Sequence, residues 1–162
     1  MLSSGLPAIS SPTARVLILG LRPTRISIEH GEYYADPTDA FWTIVSPHHW
    51  GFPSEYADRT AFLVDHTLAL WDVFAAEAVP NNFRPFFDTH PKIRRIFFNG
   101  SQAAILYRRH VLPTLSEKQR WIPWYALPST SAAHAKLTPA EKSRKWSFIW
   151  DTLGWRSRFC GP

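Results

Sequence analysis

The stretch RVLILG at residues 15–20 decides the fold, because it is a short apolar run that ends in glycine. A run of this kind is typical of a strand buried on both faces of a parallel sheet. The segment that follows, residues 21–42, is broken by Pro23, Gly31 and Pro37 and carries two adjacent tyrosines and a Phe-Trp pair. We predict a long loop without a regular element, folded over one edge of the sheet, because its aromatic content argues against disorder.

Three further apolar runs, 68–74, 93–100 and 121–127, predict the remaining strands. Helices are expected over 55–66 with Ser54 as N-cap, over 83–88 and 101–112, and after Thr138, where Pro139 and Glu141 complete a capping box. Strands that alternate with helices indicate an α/β fold, a three-layer α/β/α sandwich around a four-stranded parallel sheet. We expect a flexible N-terminal lead at 1–14, a single domain at 15–155 and a C-terminal tail at 156–162.

Composition excludes several classes of protein. The net charge of +5 favours a polyanionic partner, and eight Trp residues are more than a core of this size needs. The single Cys160 cannot form an internal disulfide or a site built on paired cysteines, and the His48–His49 pair lacks a third ligand, so we predict no metal. Without a secretory signal or a run of about 20 apolar residues, we expect a soluble, cytoplasmic protein.

Ligands of parallel sheets bind beyond the carboxyl ends of the strands. The loop 20–42, the Asn99–Gly100 turn and the loop 128–136 converge there in the predicted fold. In the first loop, the Asp39 carboxylate could activate a water as general base, or it could cap the helix that begins near Phe41. Tyr34 could stack on a planar ligand or belong to the core.

The other converging residues have similar alternatives. Asn99 could read the edge of a base, since an amide is both donor and acceptor, or it could stabilise a turn. Arg22 could contact phosphate or an anionic leaving group, or lie on the surface. The loop 128–136 is either a solvated linker or a segment that meets DNA through Ser129, Thr130, Ser131, His134 and Lys136.

Ordered motifs then point to a family. GLRPT at 20–24 followed by YYADPTDAFW at 33–42, LALWDV at 68–73, IFFNG at 96–100 and LPSTSAAHA at 127–135 resemble the uracil-DNA glycosylase superfamily, in particular its hypoxanthine and mismatch-specific branches. The resemblance implies hydrolysis of the bond between a damaged base and its sugar, without a cofactor. The target base would be flipped out of the duplex, since that bond cannot be reached inside the stack.

By the same resemblance, Tyr34 and Phe41 lie at the base with Asn99 as the reading residue, and loop 128–134 presses into the DNA. Where many members carry a catalytic Asn or Asp this chain has Arg22, which cannot act as a base, so the catalytic role passes to Asp39, with Arg22 beside it. We expect a monomeric, monofunctional enzyme that acts on DNA with deaminated bases, uracil first and hypoxanthine or xanthine next. Alternatives are a non-catalytic binder of damaged DNA and a nucleoside hydrolase.

Overall fold

The predicted apolar runs form the central sheet. The computed structural model describes residues 5–47 and 53–155. Its strands in chain order are β1 (Val16–Gly20), β2 (Leu68–Asp72), β3 (Phe74–Ala76), β4 (Val79–Pro80), β5 (Arg95–Asn99) and β6 (Trp124–Leu127). Four of them pair in parallel in the order β2-β1-β5-β6, and β3 and β4 form a separate antiparallel pair. The predicted four-stranded parallel sheet is therefore confirmed.

Helices cover both faces of this sheet. They are α1 (Arg25–His30), α2 (Phe41–Val45), α3 (Tyr56–Asp65), α4 (Phe83–Thr89), α5 (Ser101–His110), α6 (Glu117–Arg120), α7 (Pro139–Trp146) and α8 (Phe148–Thr152). Alternate β1 side chains point to opposite faces. Leu17 and Leu19 pack with α4 and α5, whereas Val16 and Ile18 pack with α2, α3, α7 and α8. The three-layer α/β/α prediction is thus correct.

The segment after β1 departs from the prediction of a loop without regular structure, since α1 lies within it. Thr24 caps its start, where Oγ1 accepts a hydrogen bond from the Ser27 backbone N–H at 3.2 Å. Gly31 ends it with φ of 66°, a conformation that glycine adopts without strain. Only six residues separate the two caps, which is too short for a readable apolar period.

The N-terminal segment was predicted to be a flexible lead, but residues 5–14 are held against the domain. Ile9 exchanges two backbone hydrogen bonds of 2.9 Å with Leu70 of β2, and the Tyr33 hydroxyl donates to the carbonyl oxygens of Leu6 and Pro7. Ala14 is completely buried. The segment therefore covers the open edge of β2, which would otherwise present unpaired backbone groups.

Several boundaries also differ. Helix α3 begins after Glu55 rather than after a Ser54 cap, and the predicted strand 68–74 ends at Asp72 because Phe74 pairs with Pro80 in the small sheet. The capping box at Thr138 and Glu141 is confirmed. The predicted tail at 156–162 and the histidine pair at 48–49 lie outside the described residues. Within the described ranges, no helix is long and apolar enough to cross a membrane.

Candidate active site

A pocket opens at the carboxyl end of the sheet, where the converging loops were expected. Its volume is ≈ 210 Å³. Its walls come from the ends of β1, β2 and β5, the segment 21–39 and the start of the loop 128–136. The lining includes six residues named by the sequence, Arg22, Tyr34, Asp39, Asn99, Ser129 and Ser131.

Asp39 is half-buried at this pocket and is fixed through one of its two oxygens. Oδ1 accepts hydrogen bonds from the Thr130 hydroxyl at 2.7 Å and from the Phe41 backbone N–H at 2.9 Å. The second bond satisfies an N–H in the first turn of α2, so the capping alternative describes part of what this side chain does. Oδ2 has no hydrogen-bond partner among residues 5–47 and 53–155, and is left for a ligand or water.

Thr130 connects Asp39 to Asn99. The Asn99 amide nitrogen donates to the Thr130 hydroxyl at 2.9 Å and to the Tyr34 hydroxyl at 3.0 Å, and its oxygen accepts from the Thr130 backbone N–H at 2.9 Å. An amide nitrogen has two hydrogens, so both donors of Asn99 are committed within the protein. In this conformation Asn99 can offer a base only the second lone pair of its oxygen.

Of the two aromatic residues predicted at the base, Tyr34 lines the pocket as a surface for stacking, the aromatic platform, and Phe41 lies in the core. The Tyr34 ring stacks on Phe41 with 3.9 Å between centroids and an interplanar angle of 16°. Burial and the nearby Asp72 raise the pKa of the Tyr34 phenol, which keeps its proton. Phe41 has no exposed surface, so it supports Tyr34 and is out of reach of a base while Tyr34 covers it. Its predicted contact with the base is not available here because its ring lies in the core beside Trp42 and Trp146.

Arg22 and the loop 128–136 reach the rim of the pocket. Arg22 is exposed, and its guanidinium lies 5.7 Å from the centroid of the Phe74 ring. His134 and Lys136 are exposed outside the pocket lining, where a phosphate backbone could reach them. Thr130, by contrast, is 1 % exposed and its N–H is used by Asn99, so it joins loops and does not face DNA.

Lys142 of α7 binds the backbone of the same loop. It is 4 % exposed, and its ammonium group donates to the Ser131 carbonyl oxygen at 3.1 Å. The Trp146 indole donates to the Pro128 carbonyl oxygen at 2.9 Å. Helix α7 therefore holds two points of the loop 128–136, which places Ser129 and Ser131 at the pocket.

Asp72 is a pocket residue that the sequence did not single out. It ends β2 beside Gly20 of β1 and is 4 % exposed. Burial raises the pKa of its carboxyl group to about 7. The available signal was its position after the apolar run LALW, at the edge where parallel strands meet ligands. In the described part of the chain, no group of three or more His, Cys, Asp or Glu residues could hold a metal ion.

Comparisons with known proteins identify the family of this chain. The family model described as the uracil DNA glycosylase superfamily matches residues 7–154. A hypoxanthine DNA glycosylase of Methanosarcina acetivorans is 30% identical in an alignment 143 positions long, which covers 74% of this chain and 90% of that protein. One of Methanosarcina barkeri is 27% identical in an alignment 121 positions long, which covers 64% of this chain and 74% of that protein.

The fold agrees with a solved structure as well. The NMR structure of a Methanosarcina acetivorans protein described as a candidate uracil DNA glycosylase superposes with a TM-score of 0.77 at 26% identity. The match covers 95% of this chain and 99% of the other. The family model spans nearly the whole chain, and the pocket lies at the ends of β1, β2 and β5. The chain therefore belongs to the uracil DNA glycosylase superfamily and is a DNA N-glycosylase.

Proposed function

We propose that this enzyme releases deaminated bases from DNA by hydrolysis, with hypoxanthine and uracil as its first substrates to test. The observation that carries the proposal is the Asp39 carboxylate. It lines the pocket, is fixed through Oδ1 by Thr130 and Phe41, and keeps Oδ2 free of partners within the described residues. A carboxylate held by one oxygen is suited to orient a water with the other.

The rest of the pocket is consistent with a flipped base. Tyr34 is supported from beneath by Phe41, which gives a rigid aromatic surface, and base–aromatic stacking contributes about 1–3 kcal/mol per base. As the bond to the base breaks, positive charge develops on the sugar, and Asp39 both stabilises that charge and activates the attacking water. The exposed Lys136 and His134 supply contacts to the phosphate backbone.

The substrate range follows from two lines of argument. The sequence motifs predicted uracil first, and that preference stays a prediction. The two Methanosarcina relatives carry the name hypoxanthine DNA glycosylase, which favours a deaminated purine. Both amide hydrogens of Asn99 are bonded to Tyr34 and Thr130. Asn99 could donate a hydrogen bond to a base only if one of these two bonds were broken.

The test is excision from labelled oligonucleotides that contain hypoxanthine, uracil or xanthine, single-stranded and double-stranded, followed by alkaline cleavage at abasic sites. We expect release of at least one of these bases by the wild-type chain. Asp39→Ala should lower the single-turnover rate by about 10²- to 10⁴-fold, the usual contribution of a general base. Asp58→Ala, on an exposed face of α3, is the matched carboxylate control and should leave the rate unchanged.

Two results would overturn the proposal in different ways. Wild-type chain that binds such DNA without releasing any base would be a binding protein. Full activity of Asp39→Ala would remove Asp39 from the chemistry, whatever base is released.

A further inference from the structure

Asp72 is a second carboxyl group in the same pocket. It is the last residue of β2 and lies in register with Gly20, the last residue of β1. Its backbone oxygen accepts a hydrogen bond of 2.8 Å from the Asn81 amide, but nothing within residues 5–47 and 53–155 bonds to its carboxyl group. A buried polar group without a partner is unfavourable for stability, so its presence at a pocket points to a ligand.

Gly20 allows this carboxyl group to approach the pocket floor. A Cβ at position 20 would collide with Asp72 Oδ1 and would lie 2.8 Å from the Tyr34 hydroxyl oxygen. Both polar atoms thus fill the space that a side chain would occupy. The carboxyl group of Asp72 consequently lies beside the hydroxyl of the aromatic platform, on the side of β1 opposite Asn99.

Several charged and titratable groups lie around Asp72, but burial is what raises the pKa of its carboxyl group. Tyr33 and Tyr34 face it from the segment after α1, and Asp36, Asp39 and Arg22 line the same pocket. No salt bridge reaches Asp72 in the described ranges, and Arg22 turns its guanidinium to Phe74. Burial raises the pKa of Asp72 to about 7, so a large share of the molecules carry a protonated acid there near neutral pH.

We propose that Asp72 is the acid that donates a hydrogen bond and then a proton to the departing base, with a deaminated purine as the substrate class. The inference rests on the proposed function. A purine offers a ring nitrogen, N7, that can accept the proton while N9 leaves the sugar. Asp39 and Asp72 then divide the work as base and acid, which is the arrangement expected when two carboxyl groups in one site have different surroundings.

Bond cleavage, proton transfer to the base and addition of water together conserve atoms and charge. The bond between C1′ and N9 breaks, and its electron pair goes to the base. The Asp72 proton moves to N7, so the base leaves neutral, and water adds to C1′ while its proton passes to Asp39. Asp72 regains a proton from solvent and Asp39 returns one, so the net reaction consumes one water and yields the free base and an abasic site.

The experiment is single-turnover excision of hypoxanthine from a duplex between pH 5 and pH 9, with wild-type chain and Asp72→Asn. Wild-type rates should fall about tenfold per pH unit above about pH 7, where Asp72 loses its proton. Asp72→Asn keeps the shape and can donate a hydrogen bond but cannot transfer a proton. We expect it to be about 100-fold slower at pH 6 and to lack the decline above pH 7.

Folding and binding are checked separately. Asp72→Asn should bind, within a few-fold of wild type, a duplex carrying a 2′-fluoroarabino analogue of the hypoxanthine nucleotide, which resists cleavage. If the variant matches the wild-type rate and pH profile, the acid role is overturned and the proposed function stands. If Asp72→Asn does not fold, a wild-type rate that stays constant from pH 7 to pH 9 overturns it. Absence of base release from every substrate by wild type would refute the proposed function itself.

Discussion

The two carboxyl groups of the pocket, Asp39 and Asp72, differ in burial and in hydrogen bonding. Asp39 is half-buried and accepts two hydrogen bonds through Oδ1, from the Thr130 hydroxyl and the Phe41 backbone. Asp72 is 4 % exposed and has no partner for its carboxyl group in the described residues. Burial without a hydrogen-bond donor raises the pKa of Asp72 and favours its neutral acid. One pocket therefore presents an acceptor on one side of Gly20 and an acid on the other.

The largest effect expected from this contrast is on stability. Folding raises the pKa of Asp72 from 3.8 to about 7, so the folded state holds this proton more tightly than the unfolded state. Below about pH 4 the group is neutral in both states and has no penalty. As the pH rises to about 7 and beyond, the burial of Asp72 lowers the free energy of unfolding by up to about 4 kcal/mol.

Asp72→Asn should therefore raise the free energy of unfolding by about 2–4 kcal/mol at pH 8, and by much less at pH 4. Chemical denaturation at the two pH values measures the difference. Asp58→Asn, which removes an exposed carboxylate from α3, should change the value by less than about 0.5 kcal/mol at both. A gain for Asp72→Asn that is equal at pH 4 and pH 8 would contradict a protonation effect.

The sequence predicted one of these two residues and missed the other, for a physical reason. Asp39 stands in a polar loop next to Phe41 and Trp42, where a carboxylate is conspicuous and matches a family motif. Asp72 follows an apolar run and reads as the end of a strand. Its importance depends on register, because pairing with β1 sets it beside a residue without a side chain, and such cross-strand proximity is not written in either segment alone.

The same distinction explains the fold. Long apolar runs and the Thr138 capping box were sufficient to predict the parallel sheet and helix α7, because those signals are local. The contacts of residues 5–14 were not predictable in this way. Ile9 pairs with Leu70, which is 61 positions away by residue number, and nothing near Ile9 indicates that the edge of β2 needs cover.

Removing the hydroxyl of Thr130 tests whether its hydrogen bond to Asp39 matters for stability and for excision. Thr130→Val would leave Asp39 Oδ1 without one donor and one hydrogen of Asn99 without its acceptor. We expect a loss of about 1–3 kcal/mol in unfolding free energy and slower excision, because buried polar groups would be left unpaired. Thr130→Ser should restore both. The same exchange at exposed Thr43, Thr43→Val, should alter neither, and equal effects at positions 43 and 130 would show that the hydroxyl link is unimportant.

The smallest effect is expected at Tyr34, whose hydroxyl lies between the two sides. Tyr34→Phe keeps the stack on Phe41 but removes the acceptor for one Asn99 hydrogen. The cost in unfolding free energy should be about 1 kcal/mol, the net value of one hydrogen bond.

The Asn99 hydrogen that bonds to Tyr34 in the wild type would then be free to bond to a base. If Asn99 reads the base, Tyr34→Phe should excise hypoxanthine at no less than about a third of the wild-type rate. Asn99→Ala should be at least about tenfold slower than wild type, which corresponds to the loss of one hydrogen bond between neutral groups in the transition state. If Tyr34→Phe is as slow as Asn99→Ala, the phenol itself takes part, and the neutral Tyr34 hydroxyl beside Asp72 becomes the donor to examine next.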